Sequence, residues 1–204
     1  MGQPAAVVGA LAVLVCAFPI VHATADEFRQ VRNNPADQLL QHPIDDFAYD
    51  FARKCNRFPR PGTRALEAWL DRNFGGESWG IMRCSKLNRR HYSLHAEGRA
   101  LDWHLDARDA GDRATARRLI RMLLAPDRLG NPQALARRMG AQEIIWNCTT
   151  WWAGSSFLAK YHGCYGRSGR RLRRVDVTTA HRDHVHIGLN RRGAARKTTF
   201  WATR

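Results

Sequence analysis

His95, Asp102 and His186 are the residues whose types and spacing could hold a metal ion and leave it free to react. A catalytic zinc takes three protein ligands from His, Asp and Glu and keeps a fourth position for water. The first two fall in Ser93-Leu94-His95-Ala96-Glu97-Gly98-Arg99-Ala100-Leu101-Asp102, and the third closes Asp183-His184-Val185-His186. With His95 in a loop and Asp102 on the strand after it, one short turn brings imidazole and carboxylate to a common ion. Gly98 lets the backbone turn tightly beneath them, Ala100 allows close packing of the strand, and Ser93 can fix the loop through its hydroxyl. Hydrolysis also needs a group that takes a proton from water and hands it to the leaving amine. His184, which shares a strand face with His186 at period two, is one candidate. Each residue also has an ordinary reading: His-x-His on a strand can be two half-buried histidines, and Asp102 a loop-ordering acceptor. The agreement between two distant segments favours the metal.

The elements that must position these residues can be read from periodicity. From Thr63, an N-cap candidate, Leu66, Trp69, Leu70 and Phe74 recur at helical spacing until Gly75-Gly76. Strands are expected at Trp79 to Cys84 and Arg99 to Leu105, then a helix capped by Asp112 with Ala116, Leu119, Ile120, Leu123 and Leu124 on one face. A short helix over Pro132 to Met139 precedes strands at Glu143 to Trp146 and His184 to Leu189. The order helix, strand, strand, helix, helix, strand, strand predicts an α+β domain with a small, mainly antiparallel sheet flanked by helices. Residues 26–62 are proline-rich, with one helix-like stretch at Ile44 to Cys55, and should wrap the domain formed by 63–190. Trp103, Trp146, Trp151 and Trp152 are expected in the core rather than stacked on a ligand, and His91 and His162 at the surface.

Ser93 to Asp102 matches S-x-H-x-x-G-x-A-x-D, and on these residues the chain resembles the zinc D-Ala-D-Ala metallopeptidases. That group includes lysostaphin-like endopeptidases and shares a fold with hedgehog signalling domains. Asp183 to His186 resembles the acidic-x-x-His motif that completes the same site, and His181, His184 and His186 reproduce the H-x-x-H-x-H run of some murein endopeptidases. The resemblance implies Zn²⁺ on His95, Asp102 and His186, and an acidic proton-transfer residue at Asp183. That position is usually Glu in the family, so Asp183 has one methylene less reach. It also implies a substrate-binding arginine on the preceding strand, for which Arg83 is the match. The implied activity is cleavage of an amide bond in peptidoglycan peptides, as carboxypeptidase or endopeptidase. The hedgehog relatives imply the alternative, a zinc-containing binding module without catalysis.

Composition bounds the setting. Residues 1–25 carry no Lys, Arg, Asp or Glu, and their apolar run ends in Ala23-Thr24-Ala25, the pattern of a cleaved secretory signal. Lipidation at Cys16 is not expected, nor stable membrane insertion after processing. Beyond the signal, Cys55, Cys84, Cys148 and Cys164 are an even set in a chain read as exported, which points to two disulfides. Three connectivities are open; Cys55 with Cys84 and Cys148 with Cys164 would each close a local loop. Cysteine ligation of zinc has no C-x-x-C spacing behind it. The net charge of +15 suits a secreted monomer meeting peptidoglycan or another anionic cell-wall polymer, although it also serves solubility. A secreted nuclease is the remaining alternative, without a recognisable phosphate-binding motif. Arg167 to Arg174 reads as a basic loop and 191–204 as a basic tail.

Overall fold

In the computed structural model, residues 34–203 apart from Arg57 and Arg89 are described; the leader read over 1–25 lies outside them. Helix α1, Pro61–Phe74, starts with proline at its first position, where a missing N–H costs nothing, and ends at Gly75, whose φ is 64°. Thr63 is therefore not the cap. It sits inside the first turn, where its hydroxyl donates to the Gly98 carbonyl at 2.8 Å and ties the helix to the ligand loop. Strands β1 (Glu77–Gly80) and β2 (Ala100–His104) follow, then α2 (Ala110–Leu124) and α3 (Ala134–Met139). Asp109 caps α2 by accepting from the Asp112 N–H, while Asp112 instead accepts from the Asp106 N–H at 2.8 Å. The chain continues through β3 (Ala141–Trp146), β4 (Thr149–Trp152), β5 (Ala159–Lys160) and β6 (His184–Leu189).

These six strands form one antiparallel sheet in the order β1-β2-β6-β3-β4-β5, so the predicted α+β class holds. The central strand β6 comes late in the chain and inserts between β2 and β3. Side chains alternate across it: Val185, Ile187 and Leu189 join Leu101, Trp103, Ile144 and the buried faces of α1, α2 and α3 in the core. His184 and His186 therefore face the other side, opposite His104 and Asp102 in register. Trp103, Trp146 and Trp151 are buried as expected, and Trp152 is exposed.

Two expectations fail at the ends of the domain. The stretch from Ile44 to Cys55 is not helical. It runs as a strap whose backbone is satisfied by side chains: the Asp50 carbonyl accepts from Arg99 at 2.7 Å and its N–H donates to Gln142 at 2.9 Å. The described part of the expected tail, residues 191–203, is not solvated chain either. They form α4 (Arg191–Ala194) and α5 (Thr199–Ala202), with Phe200 and Trp201 buried in the main core. Two aromatic residues outweigh the local density of arginine, because burying each stabilises by about 1.5–3 kcal/mol. The Trp201 indole also donates to the Met139 carbonyl at 2.8 Å.

Candidate metal centre

The ligand loop is a 3-10 turn, Leu94–Glu97. Ser93 caps it by accepting from the His95 N–H, and Gly98 ends it at φ 67°. Beyond its conformation, Gly98 is fixed by space: a Cβ there would lie 2.7 Å from the Phe58 carbonyl and 2.9 Å from Pro59 Cα. Gly188 has a related role on β6, where a Cβ would run into Leu94 and lift the turn off the sheet. Inside the motif, Glu97 and Arg99 form a buried ion pair at 2.8 Å. Arg99 also donates to the Leu189 carbonyl at 2.7 Å, and Glu97 accepts from the Arg53 N–H at 2.8 Å, so loop, strap and β6 are clamped together.

Against this frame His95, Asp102 and His186 converge, with one ligand atom from each inside a 4.8 Å span, and all three are buried. Asp102 Oδ1 lies 3.1 Å from His95 Nε2 and 2.9 Å from His186 Nδ1. The outer nitrogens are spoken for: His95 Nδ1 donates to the Ile81 carbonyl at 2.9 Å, and His186 Nε2 faces Glu143 Oε1 at 3.7 Å. Such second contacts orient the rings, so that a bound cation would displace any proton shared with Asp102 and take the lone pairs of His95 Nε2 and His186 Nδ1. Glu143 is held in turn by Tyr49, whose hydroxyl donates to Oε2 at 2.5 Å.

The charges follow from this geometry. Burial works against ionisation of Asp102, yet hydrogen bonds from His186 and His95 outweigh it and hold the carboxyl well below the usual range. Burial lowers His95, against the pull of Asp102. It also opposes charge on His186, but there the hydrogen bond to Asp102 and the two carboxylates win and the imidazole is raised. Two imidazole nitrogens and a carboxylate oxygen, mutually facing and buried, are the donors a cation such as zinc would satisfy.

Asp183 and His184 do not sit as equals. Asp183 Oδ1 accepts from His184 Nδ1 at 2.7 Å and its Oδ2 from the Thr178 hydroxyl at 2.6 Å, so both oxygens are engaged away from the centre. His184 Nε2 lies 3.5 Å from Asp102 Oδ1. Of the two side chains, His184 is the one that reaches Asp102, and Asp183 stands behind it, bonded to His184 and Thr178. Arg83 is in the loop after β1 rather than on a strand, and its half-exposed guanidinium lies 3.5 Å from Asp102 Oδ2.

The centre opens into a cleft of about 470 Å³, walled by Phe51 and His91 on one side and by Tyr161, His162 and His181 on the other. His91 stacks on Phe51 at 4.5 Å, so His91 and His162 are cleft residues rather than featureless surface. His181 has φ 49°, its Nδ1 donates to the Thr179 carbonyl, and its ring stands 4.6 Å from that of His184. Burial, then the charges of His186 and His184, push it down to about 3. Sequence reasoning missed Tyr49, Glu143 and the Glu97 and Arg99 pair. For Glu143 a signal existed, a carboxylate alternating with core residues on a strand, whereas Tyr49 carries none.

Cys55 pairs with Cys84 and Cys148 with Cys164, the local pairing expected, which removes cysteine as a metal ligand. A family model described as VldE, C-terminal domain, matches residues 56–169, more than half of the chain. The chain belongs to the VldE C-terminal domain family. This family is D-Ala-D-Ala-peptidase-like, and its match takes in His95 and Asp102 but stops before β6, so His186 and His184 rest on the geometry above. No curated protein and no solved structure matches the chain.

Proposed function

We propose that the cleft is the active site of a secreted zinc peptidase that hydrolyses an amide bond in peptidoglycan peptides. The observation that carries this reading is a proton-transfer pair built beside the ligand triad. His184 turns Nε2 toward Asp102 and is backed through Nδ1 by Asp183. A structural metal site has no need of such a pair. Zinc held by His95, Asp102 and His186 would lower the pKa of a water to about 7 and polarise a peptide carbonyl.

The other roles belong to the chain itself. His184 takes the proton of the attacking water and returns it to the leaving amine. Asp183 keeps the His184 proton on Nδ1, so that Nε2 stays an acceptor, and steadies the imidazolium once it forms. Arg83 keeps donors free toward the cleft, where they bind a substrate carbonyl or carboxylate. Phe51 and His91 offer an apolar wall for the peptide. Two disulfides support a place outside the cytoplasm.

The test is to incubate the zinc-loaded protein and His186→Ala with purified peptidoglycan and weigh the fragments released. Zinc-dependent peptide fragments from the wild type alone are expected. Their absence with every wall type refutes the peptidase.

A further inference from the structure

Between Tyr161 and His181, both on the cleft wall, the chain leaves the cleft and returns to it, and the excursion carries Arg167, Arg170, Arg171, Arg173 and Arg174. These arginines are the densest run of exposed like charge among the described residues, and they differ from the buried or bridging arginines of the fold. Arg99, Arg128, Arg138 and Arg191 each meet a carboxylate, Glu97, Asp37, Asp127 and Asp50 respectively. Among the described residues, none of the five, nor neighbouring Arg182, has a carboxylate within 4.0 Å. Five like charges over eight positions repel one another, and a partner carrying the opposite charge relieves that cost.

The excursion is also built to hold its shape. Cys148–Cys164 ties its base to the β3–β4 turn, and Leu172 N–H donates back to the Cys164 carbonyl at 2.9 Å. Gly166 N–H donates to the Arg170 carbonyl at 2.9 Å, and Tyr165 bridges Arg171. On this base Arg171, Arg173, Arg174 and Arg182 line a recess of about 570 Å³, four cations against one carboxylate, Asp176. Guanidinium forks match phosphate oxygens two at a time, and a backbone already formed loses little entropy on binding. The only large apolar residue from 167 to 174 is Leu172, and the Tyr165 ring is already covered by Lys160 at 5.2 Å. Without free aromatic rings among the arginines, the surface lacks the stacking platform that single-stranded nucleic acid uses.

We infer that residues 167–174 with Arg182 dock a phosphodiester-linked anionic polymer of the cell wall, holding the enzyme alongside the wall while the neighbouring cleft works on a peptide. The choice of a wall polymer rests on the peptidase reading; the phosphate chemistry does not.

The experiment is cosedimentation of the full chain with walls bearing a phosphodiester polymer and with the same walls stripped of it by hydrofluoric acid. Wild type should bind the phosphate-bearing walls at least about tenfold more tightly, and Arg171→Gln/Arg173→Gln/Arg174→Gln should lose that margin. With three contacts gone, the slope of log affinity against log salt should shrink by about 2–3. Circular dichroism, together with zinc-dependent cleavage of a short soluble wall peptide, checks that the variant is folded. Equal binding of stripped walls, an unaffected triple variant, or tighter binding of duplex DNA at the same salt overturns the dock. If no peptide is cleaved but the binding result holds, the dock stands and the peptidase falls.

Discussion

Replacing Glu143 with Gln keeps the size of the side chain and removes its charge, and it should weaken metal binding without unfolding the protein. Glu143 Oε1 stands 3.7 Å from His186 Nε2, on the far side of the ring from the nitrogen that faces Asp102. The carboxylate favours a proton on Nε2, leaves Nδ1 as the lone-pair donor and makes that donor more basic. Between full unit charges at 4 Å the attraction is about 4 kcal/mol at an effective dielectric of 20. A neutral ligand imidazole carries only part of that charge when it binds a cation, so a fraction of the figure applies. Outer-shell substitutions of this kind cost about 10–100-fold in metal affinity, equivalent to about 1.4–2.7 kcal/mol.

Tyr49→Phe is the matched control. It leaves Glu143 charged but removes the hydroxyl that holds Oε2, so the loss should be smaller, about threefold, a fraction of one charged hydrogen bond. Competition for zinc against a chromophoric chelator at pH 7.5 reads both constants, and circular dichroism of the metal-free proteins checks the fold. If Glu143→Gln binds zinc within about twofold of the wild type, Glu143 does not tune His186, and the second contact is a packing accident.

Asp183→Asn should cut turnover by at least about a hundredfold while zinc affinity changes little, because the charge that steadies the His184 imidazolium and the acceptor-only partner that fixes its tautomer are lost and the ligands are not; comparable losses of both would place Asp183 among the ligands' supports instead. His181 is held neutral in the fold at about 3 against an ordinary 6.5, so the unfolded chain binds the extra proton. Its contribution to stability is complete above pH 6.5 and is lost as pH falls toward 3, with a slope of up to about 1.4 kcal/mol per pH unit. In His181→Asn, chosen because Asn tolerates the positive φ, urea titrations of the metal-free protein should have a flatter dependence over that window. Gly98→Ala combines a left-handed backbone with the Phe58 carbonyl 2.7 Å from the new Cβ, and urea midpoints should report a loss of at least about 2 kcal/mol.

What the sequence made legible was set by periodicity and by polar residues with few alternative uses. Strand β6 could be read to the residue because His184 and His186 alternate with Val185, Ile187 and Leu189, and alternation both defines the strand and says which face is the site. The grouping of His95 and Asp102 with His186 came instead from residue types in two distant segments, and the three side chains do converge. Terminal segments were misread because their patterns are short. Residues 44–55 have helical spacing but no backbone freedom to use it once Arg99 and Gln142 claim the Asp50 peptide groups, a contact across the sequence that no local pattern reports. Where the Asp183 side chain points was not legible for a related reason. Reach was counted in methylenes, whereas the Thr178 hydroxyl, from the preceding turn, decides where the carboxylate points.

The variable positions of S-x-H-x-x-G-x-A-x-D matter in this chain as much as the fixed ones. Glu97 and Arg99 flank Gly98 and are buried with it; the ion pair they form stands on its own carboxylate and guanidinium, yet each also reaches a remote backbone group. Glu97 holds the strap at Arg53, and Arg99 holds the strap at Asp50 and the end of β6 at Leu189. Asp50 in turn accepts from the Arg191 N–H at 2.8 Å, so the start of α4 joins the same cluster. Burial disfavours charge on both members, and the pair persists because nearly every donor and acceptor is used. Removing one partner should therefore cost more than a surface pair would, about 3 kcal/mol for Arg99→Met, with the buried Glu97 left only the Arg53 N–H and the more distant Arg191 guanidinium at 3.7 Å. His186 lies three residues before Leu189 on β6, and His95 two before Glu97. A loosened clamp moves two ligands at once, so zinc affinity and stability should fall together in that variant. If Arg99→Met unfolds more readily but keeps wild-type zinc affinity, the clamp supports the fold alone, and the triad is positioned by the sheet register without it.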